Sequence, residues 1–153
     1  MTRLSSLAGA ATLVGATVLL IGPTTDTFAQ VTARAPDLVP IASRILQGTI
    51  SVRNAGSADA GPFVVTAQCQ KQGGGGCAEH PGMATYNDPM YPNRLVVKVP
   101  GLKKGEVFNH ALPFWKNLVW LPGNYNFLIE ADAGKAVAET NEGNNIPGAV
   151  LVK

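Results

Sequence analysis

Leu46-Gln47-Gly48-Thr49-Ile50-Ser51-Val52-Arg53 leads into Asn54-Ala55-Gly56 and, past Gly61-Pro62, into Phe63-Val64-Val65-Thr66-Ala67-Gln68-Cys69-Gln70. In the first run Leu46, Gly48, Ile50 and Val52 share one face, and Gln47, Thr49, Ser51 and Arg53 share the other. In the second, Phe63, Val65, Ala67 and Cys69 stand against the mostly polar set Thr66, Gln68 and Gln70. A period of two marks a strand with one buried face, and the Asn, Gly and Pro between the runs mark a turn. The stretch therefore predicts two antiparallel strands.

The same rhythm recurs outward from this pair. Leu95, Val97 and Val99 align against Arg94 and Lys98. Tyr125, Phe127, Ile129 and Ala131 face away from Asn124, Asn126 and Glu130, and Phe108, Leu112 and Phe114 form a further set. Short apolar runs at Leu38–Ile41 and Ala149–Val152 supply the first and last strands. Pro100-Gly101, Lys104-Gly105, Pro122-Gly123, Ala133-Gly134 and Pro147-Gly148 punctuate them. No stretch carries a sustained helical stripe with caps. Seven short strands predict an all-β, antiparallel immunoglobulin-like β-sandwich.

The interval Lys71–Asn93 breaks the rhythm. It holds Gly73 to Gly76, Cys77, three prolines, Tyr86, Met90 and Tyr91. It reads as a loop inserted between two strands, and loops of this length carry function or are disordered.

The first 29 residues read as a secretory signal peptide, followed by a short linker at 30–35 and a domain from 36 to 153. Arg3 precedes an uncharged run, Leu7 to Gly22, rich in Ala, Leu and Val. Gly22-Pro23 ends that run, and Thr27-Phe28-Ala29 places small residues before a cut, with Ala33 as a second candidate. The run is short for a membrane span, which needs about 20 apolar residues. No other stretch is apolar enough to span a membrane, so the processed chain is expected to be secreted or periplasmic.

Composition excludes some classes. The 153 residues carry a net charge of +2, and 14% are charged. Lys and Arg are too scattered to form a nucleic-acid footprint. Only Arg3 and Asp26 leave with the signal, so the processed chain is more polar than the whole. The 17 Gly and 11 Pro suit many turns.

Cys69 and Cys77 admit two readings: a metal or redox pair, or a disulfide at the base of the glycine-rich loop. Export and an even count favour the disulfide. His80, Met83 and Met90 follow in the same loop and, with a thiolate, would make a soft copper site. Their spacing fits no metal motif, and a disulfide consumes both thiolates, so no metal or cofactor is assigned. Gly73 to Gly76 lacks the Lys-Ser/Thr and helix of a phosphate loop. Glu139–Asn145, with Glu130 and Asp132, offers oxygen ligands for calcium or, in the favoured reading, turn chemistry in which Asn side chains bond nearby backbone. His110 lies on the face of Phe108, Leu112 and Phe114 and reads as a hydrogen-bonded core or edge residue. Of Trp115 and Trp120, one is expected inside the sandwich, and the other beside Tyr86 and Tyr91 in a contact patch. There is no nucleophile elbow, paired catalytic histidine or zinc-hydrolase helix, so the chain is not read as an enzyme.

Several stretches together resemble the CARDB domain, the cell-adhesion-related domain found in bacteria. They are Ala35-Pro36-Asp37-Leu38-Val39, the run from Ile50 through Asn54-Ala55-Gly56 to Phe63, and Val99-Pro100-Gly101. Pro122-Gly123-Asn124-Tyr125 and the terminal Glu139-Thr140-Asn141-Glu142-Gly143-Asn144-Asn145 complete the set. The resemblance spans Pro36 to Val152 and implies structural roles for Asn54, Gly56, Glu139, Asn141, Glu142, Asn144 and Asn145. It implies a fold like that of immunoglobulin and fibronectin type III domains and a non-catalytic adhesion or binding role. The Lys71–Asn93 insertion departs from the family pattern. The expected function is recognition of an extracellular or periplasmic protein or glycan, with Tyr86, Met90 and Tyr91 as candidate contacts. The alternatives are an exported accessory or inhibitor of an envelope enzyme or assembly, and a small periplasmic metal-binding protein.

Overall fold

A computed structural model describes residues 34–153; the signal segment 1–29 and both candidate cleavage sites lie outside the described residues. Seven strands follow one another: β1 Leu38–Pro40, β2 Thr49–Asn54, β3 Phe63–Lys71, β4 Leu95–Val99, β5 Val107–Ala111, β6 Asn124–Glu130 and β7 Gly148–Val152. They form two antiparallel sheets, β1-β2-β5 and β4-β3-β6-β7. The immunoglobulin constant arrangement places the fourth strand on the sheet of the first, second and fifth. Here it lies beside the third, as in the fibronectin type III arrangement. Among the described residues the helical elements are four short 3-10 helices, and no helix is long and apolar enough to cross a membrane.

The alternating residues meet between the sheets. Leu38, Ile50 and Val52 from one sheet and Val65, Val99, Tyr125 and Ile129 from the other are all buried. Each such aliphatic side chain contributes about 1.5–3 kcal/mol relative to exposure. Tyr125 enters the core near the start of β6 and donates its hydroxyl to the Leu121 carbonyl at 2.8 Å. This is a tyrosine corner, which anchors the connection arriving from β5.

Three details differ from the sequence expectation. The second strand begins at Thr49, because Ala42–Gln47 forms a 3-10 helix capped by Gly48 in the left-handed region at φ 75°. Leu46 and Gly48 therefore continue no strand face. On the nominally polar face Ser51 is buried, its hydroxyl donating to Asn109 Oδ1 at 2.7 Å. The fifth strand ends at Ala111, so Leu112 and Phe114 are buried from the loop beyond it. Pro113 has no N–H with which to extend the ladder.

One end of the sandwich is tied by a polar clasp. Asn54 is fully buried and uses its whole amide: Oδ1 accepts from the Asp37 and Gly56 N–H groups, and Nδ2 donates to the Ala58 and Leu102 carbonyls. A Cβ on Gly56 would lie 2.4–2.5 Å from the backbone of Ala35, Pro36 and Asp37, so only glycine fits there. From the other side Glu139 accepts from the Leu38 N–H and, at 2.9 Å, from Asn145 Nδ2. Glu142 accepts from the Glu139 N–H and from Asn145 Nδ2, Asn141 caps the turn by accepting from the Gly143 N–H, and Asn144 donates to Asp37. The seven motif residues thus fasten β1 to the turn after β2 and to the β6–β7 connection. Ala35, placed in the linker by the sequence, joins this clasp, its carbonyl accepting from the Ser57 N–H at 2.9 Å.

Candidate functional site

The opposite end of the sandwich is built by the inserted loop. Cys69, near the end of β3, is disulfide-bonded to Cys77, with Cα atoms 6.2 Å apart. The intervening Gly73, Gly74 and Gly75 take φ values of 80°, 90° and 83°, a region that side chains disfavour, which lets the chain reverse within the nine-residue ring. The disulfide reading of the two cysteines therefore holds.

Beyond the bond the loop folds back beside β4 through the 3-10 helix Pro81–Tyr86. His80 caps it, Nδ1 accepting from the Gly82 N–H at 3.0 Å, while its ring stacks on Phe114 at 5.8 Å. Tyr86 meets Phe114 edge-on at 5.6 Å, and its hydroxyl lies 3.0 Å from Nε2 of His110. This gives His110 on β5 the partner expected of it. Met83 packs against the core.

Of the three candidate contact residues, Met90 and Tyr91 line one shallow hollow together, and Tyr86 stands apart from them. Tyr86 faces inward as an anchor of the loop. Met90 is 78% exposed, and the half-buried Tyr91 borders a shallow hollow beside Arg94 and Glu130. His80 and Met83 are held against the sandwich while Met90 points to solvent, and both sulfurs of the cysteines are bonded. Nor do Glu130 and Asp132 join Glu139 around a cation. Glu130 is paired with Arg94, and Asp132 accepts from the Ala136 and Val137 N–H groups at 3.0 and 2.8 Å.

The loop and the sandwich together enclose a half-open pocket of about 590 Å³. Ile45, Ala67, Met83, Leu95, Trp115, Trp120, Phe127 and the disulfide line it together with the polar side chains of Gln68, Glu79, His80, Asn87, Asn93 and Arg94. Neither tryptophan is inside the sandwich, as one was expected to be, and neither stands beside Tyr91. Both are half-buried, with ring centroids 5.4 Å apart, and both lie against Phe127. Gly48 makes this position available. A Cβ there would lie 2.3 Å from the Trp115 ring, so the residue that caps the first 3-10 helix also seats the indole. Val119 and Leu121, on either side of Trp120, are exposed. The pocket was not legible as a site in the sequence. The one signal for it was two tryptophans five positions apart in Trp115-Lys116-Asn117-Leu118-Val119-Trp120.

Fold and site together define a seven-stranded antiparallel β-sandwich with a disulfide-stapled insertion over an aromatic-walled pocket. No family model matches the chain, and no curated protein matches it. Among solved structures, it is similar to the solution NMR structure of a domain from Methanosarcina acetivorans, part of an inferred cell surface protein. The match has a TM-score of 0.50 and 19% identity and covers 77% of this chain and 91% of that one. At this identity the likeness concerns the fold.

Proposed function

We propose that the chain is an exported, non-catalytic surface module of the CARDB type. It recognises an extracellular or periplasmic protein or glycan with the loop-built end of the sandwich. The observation that carries this reading is the joining of a stapled insertion to Trp115 and Trp120 around one pocket, with Val119 82% exposed and Met90 78% exposed on the same two segments. Exposed apolar side chains beside half-buried aromatics have the anatomy of a recognition surface. The disulfide supports an oxidising location, and the sequence of residues 1–29 supports export. The motif residues in the clasp and the inferred cell-surface origin of the fold neighbour support the family assignment.

Capture from envelope extracts and on glycan arrays tests the proposal, using the wild-type domain beside Met90→Glu and Val119→Glu. Both positions are exposed, so both variants are expected to fold. Loss of the wild-type partner by either variant is the expected result. A partner held equally by all three proteins would remove this end of the molecule from the contact.

A further inference from the structure

We infer that β7 is a dimerisation edge: two copies of the chain join antiparallel along Gly148–Val152, with Val150 facing Val150 on a two-fold axis, and merge their β4-β3-β6-β7 sheets into one. No residue of β7 lines the pocket, so the inference stands apart from the proposed recognition surface.

The backbone carries the first part of the case. β7 is the outer strand of its sheet and pairs with β6 alone. Gly123 and Lys153 exchange both backbone hydrogen bonds, and the Ile129 N–H donates to the Pro147 carbonyl. Bonded and unbonded pairs alternate along an antiparallel ladder. The N–H and C=O groups of Ala149 and Leu151 therefore point at β6, and those of Gly148, Val150 and Val152 point outward. Among the described residues these outward groups have no backbone partner. The 3-10 helix Ala42–Gln47 lies against β7 but makes no backbone hydrogen bond to it.

The side chains carry the second. Val150 and Val152 are 51% and 71% exposed, Leu128 and Ile146 are exposed near them, and the adjoining Asn124 and Asn126 are uncharged. Neither a charge nor a proline, the usual protections of an edge, interrupts Gly148-Ala149-Val150-Leu151-Val152. The other three edges are protected. On β1 the outward positions are Leu38, whose N–H donates to Glu139, and Pro40, which has no N–H. β4 carries Lys98 and has the inserted loop beside it. The exposed face of β5 carries Asn109 and sets Arg53 across from Val107.

The occupant that fits is a second copy. Centred on Val150, antiparallel pairing places Gly148 of each copy opposite Val152 of the other. Every outward N–H and C=O then finds a partner, and the glycine leaves room for the exposed valine. Charge agrees with this direction. The strand leaves the turn that holds the exposed Glu142 and ends at Lys153, so the basic end of each copy meets the acidic turn of the other. Parallel pairing would set like charges together. A five-residue edge buries less than the roughly 1,200 Å² at the low end of stable interfaces, so the dimer is a weak one, with Kd in the high micromolar range. The two-fold axis sends the loop-built ends in opposite directions, which suits bridging of two partners.

Sedimentation velocity of the exported, disulfide-bonded chain from micromolar to millimolar concentration tests this. The wild-type chain is expected to pass from monomer to dimer. Val150→Pro removes only an outward N–H, and Val150→Lys sets like charges on the axis. Each is expected to weaken association at least about tenfold, and the lysine variant keeps the test open if proline disturbs the strand. Val107→Lys, on the β5 edge, is expected to leave association unchanged. Val150→Cys is expected to form an interchain disulfide under mild oxidation, because residues facing across a bonded pair have Cα atoms about 5.5 Å apart. Val152→Cys is not, because its two copies lie about 13 Å apart along the strands. Dimers that survive both Val150 variants, or equal crosslinking at 150 and 152, overturn the inference. So does a monomer at every concentration. Slow amide exchange at Val150 in such a monomer assigns the edge to another segment of the chain, and loss of partner capture by its Val150→Lys variant assigns it to a strand of the partner.

Discussion

The two ends of the sandwich are closed by opposite chemistry. At one, buried amides and carboxylates tie β1 to two distant turns, and the Asn54 amide has all its hydrogen bonds made. At the other, a disulfide and a stack of rings hold a loop over a partly empty space. Hydrogen bonds among buried groups are directional and costly to leave unmade, so the first end has one arrangement. Apolar and ring contacts tolerate small displacements, so the second end can admit a guest. The tighter hydrogen bonding sits where the motif residues are, and the proposed recognition surface sits at the inserted loop.

The largest test of this contrast is Asn54→Ala. It leaves the Asp37 and Gly56 N–H groups and the Ala58 carbonyl without their partner, while the Leu102 carbonyl keeps the Ala60 N–H, and is expected to cost roughly 3 kcal/mol in urea unfolding. The near-ultraviolet signal of Trp115 and Trp120 should stay native in the folded fraction. A loss under about 1 kcal/mol would mean that water replaces the amide and that the clasp is not the stiff end.

Next in size is Cys69→Ser combined with Cys77→Ser. Releasing a nine-residue ring is expected to cost about 2.5 kcal/mol in the chain-entropy account. Here the tryptophan signal should change, and amide exchange should rise in Pro81–Tyr86 while β1 and β2 keep their protection. Uniform loss of protection across both sheets would show that the loop is part of the core rather than a cover.

The smallest effect concerns Glu139. Burial pushes its carboxyl above the ordinary glutamate range; the Leu38 N–H and the Asn145 amide oppose this, and the charges of Glu142 and Asp132 add to it. A folded-state pKa above the unfolded one gives a contribution to stability that is present below the unfolded value and lost as pH rises through the folded value. The clasp is therefore expected to weaken slightly as pH climbs through the upper carboxylate range, opposite to the usual behaviour of a paired acid. A side-chain carbon titration by NMR reads this directly. A midpoint at or below that of ordinary glutamate would show the carboxylate to be better hydrated than its burial indicates.

Most of the strand pattern was legible because side chains that alternate over five or more positions match the pleat of a strand and no helical period. The inward faces of β3, β4 and β6 emerged as read, down to Phe63, Val97 and Ile129, whereas Thr66 on the outer face of β3 is buried beneath Arg94. The start of β2 was not legible, because two apolar positions at Leu46 and Gly48 fit a strand and a 3-10 turn equally well. Only the packing of Trp115 on a left-handed Gly48 separates them. The disulfide followed from compartment and count. The pocket did not, because its lining comes from β3, β4, β6, three 3-10 helices and the loops between them, and no local spacing records that convergence. Tyr86 misled for a related reason. An aromatic in a long loop has the same sequence signature whether it faces solvent or, as here, fastens the loop to His110 and Phe114.

The clasp also gives the domain a direction. Residues 35 and 36 enter beside Gly56 and Thr140, whereas the pocket borders β3 from Ala67 to Cys69, roughly 13–20 Å along the strand from its Phe63 end. A tether attached ahead of residue 34 would join the domain at its clasp end. A pull between that tether and a bound guest would run lengthwise through both sheets. It would load the hydrogen bonds of β1–β2 and β6–β7 in shear, where many must break together, rather than one at a time as in peeling.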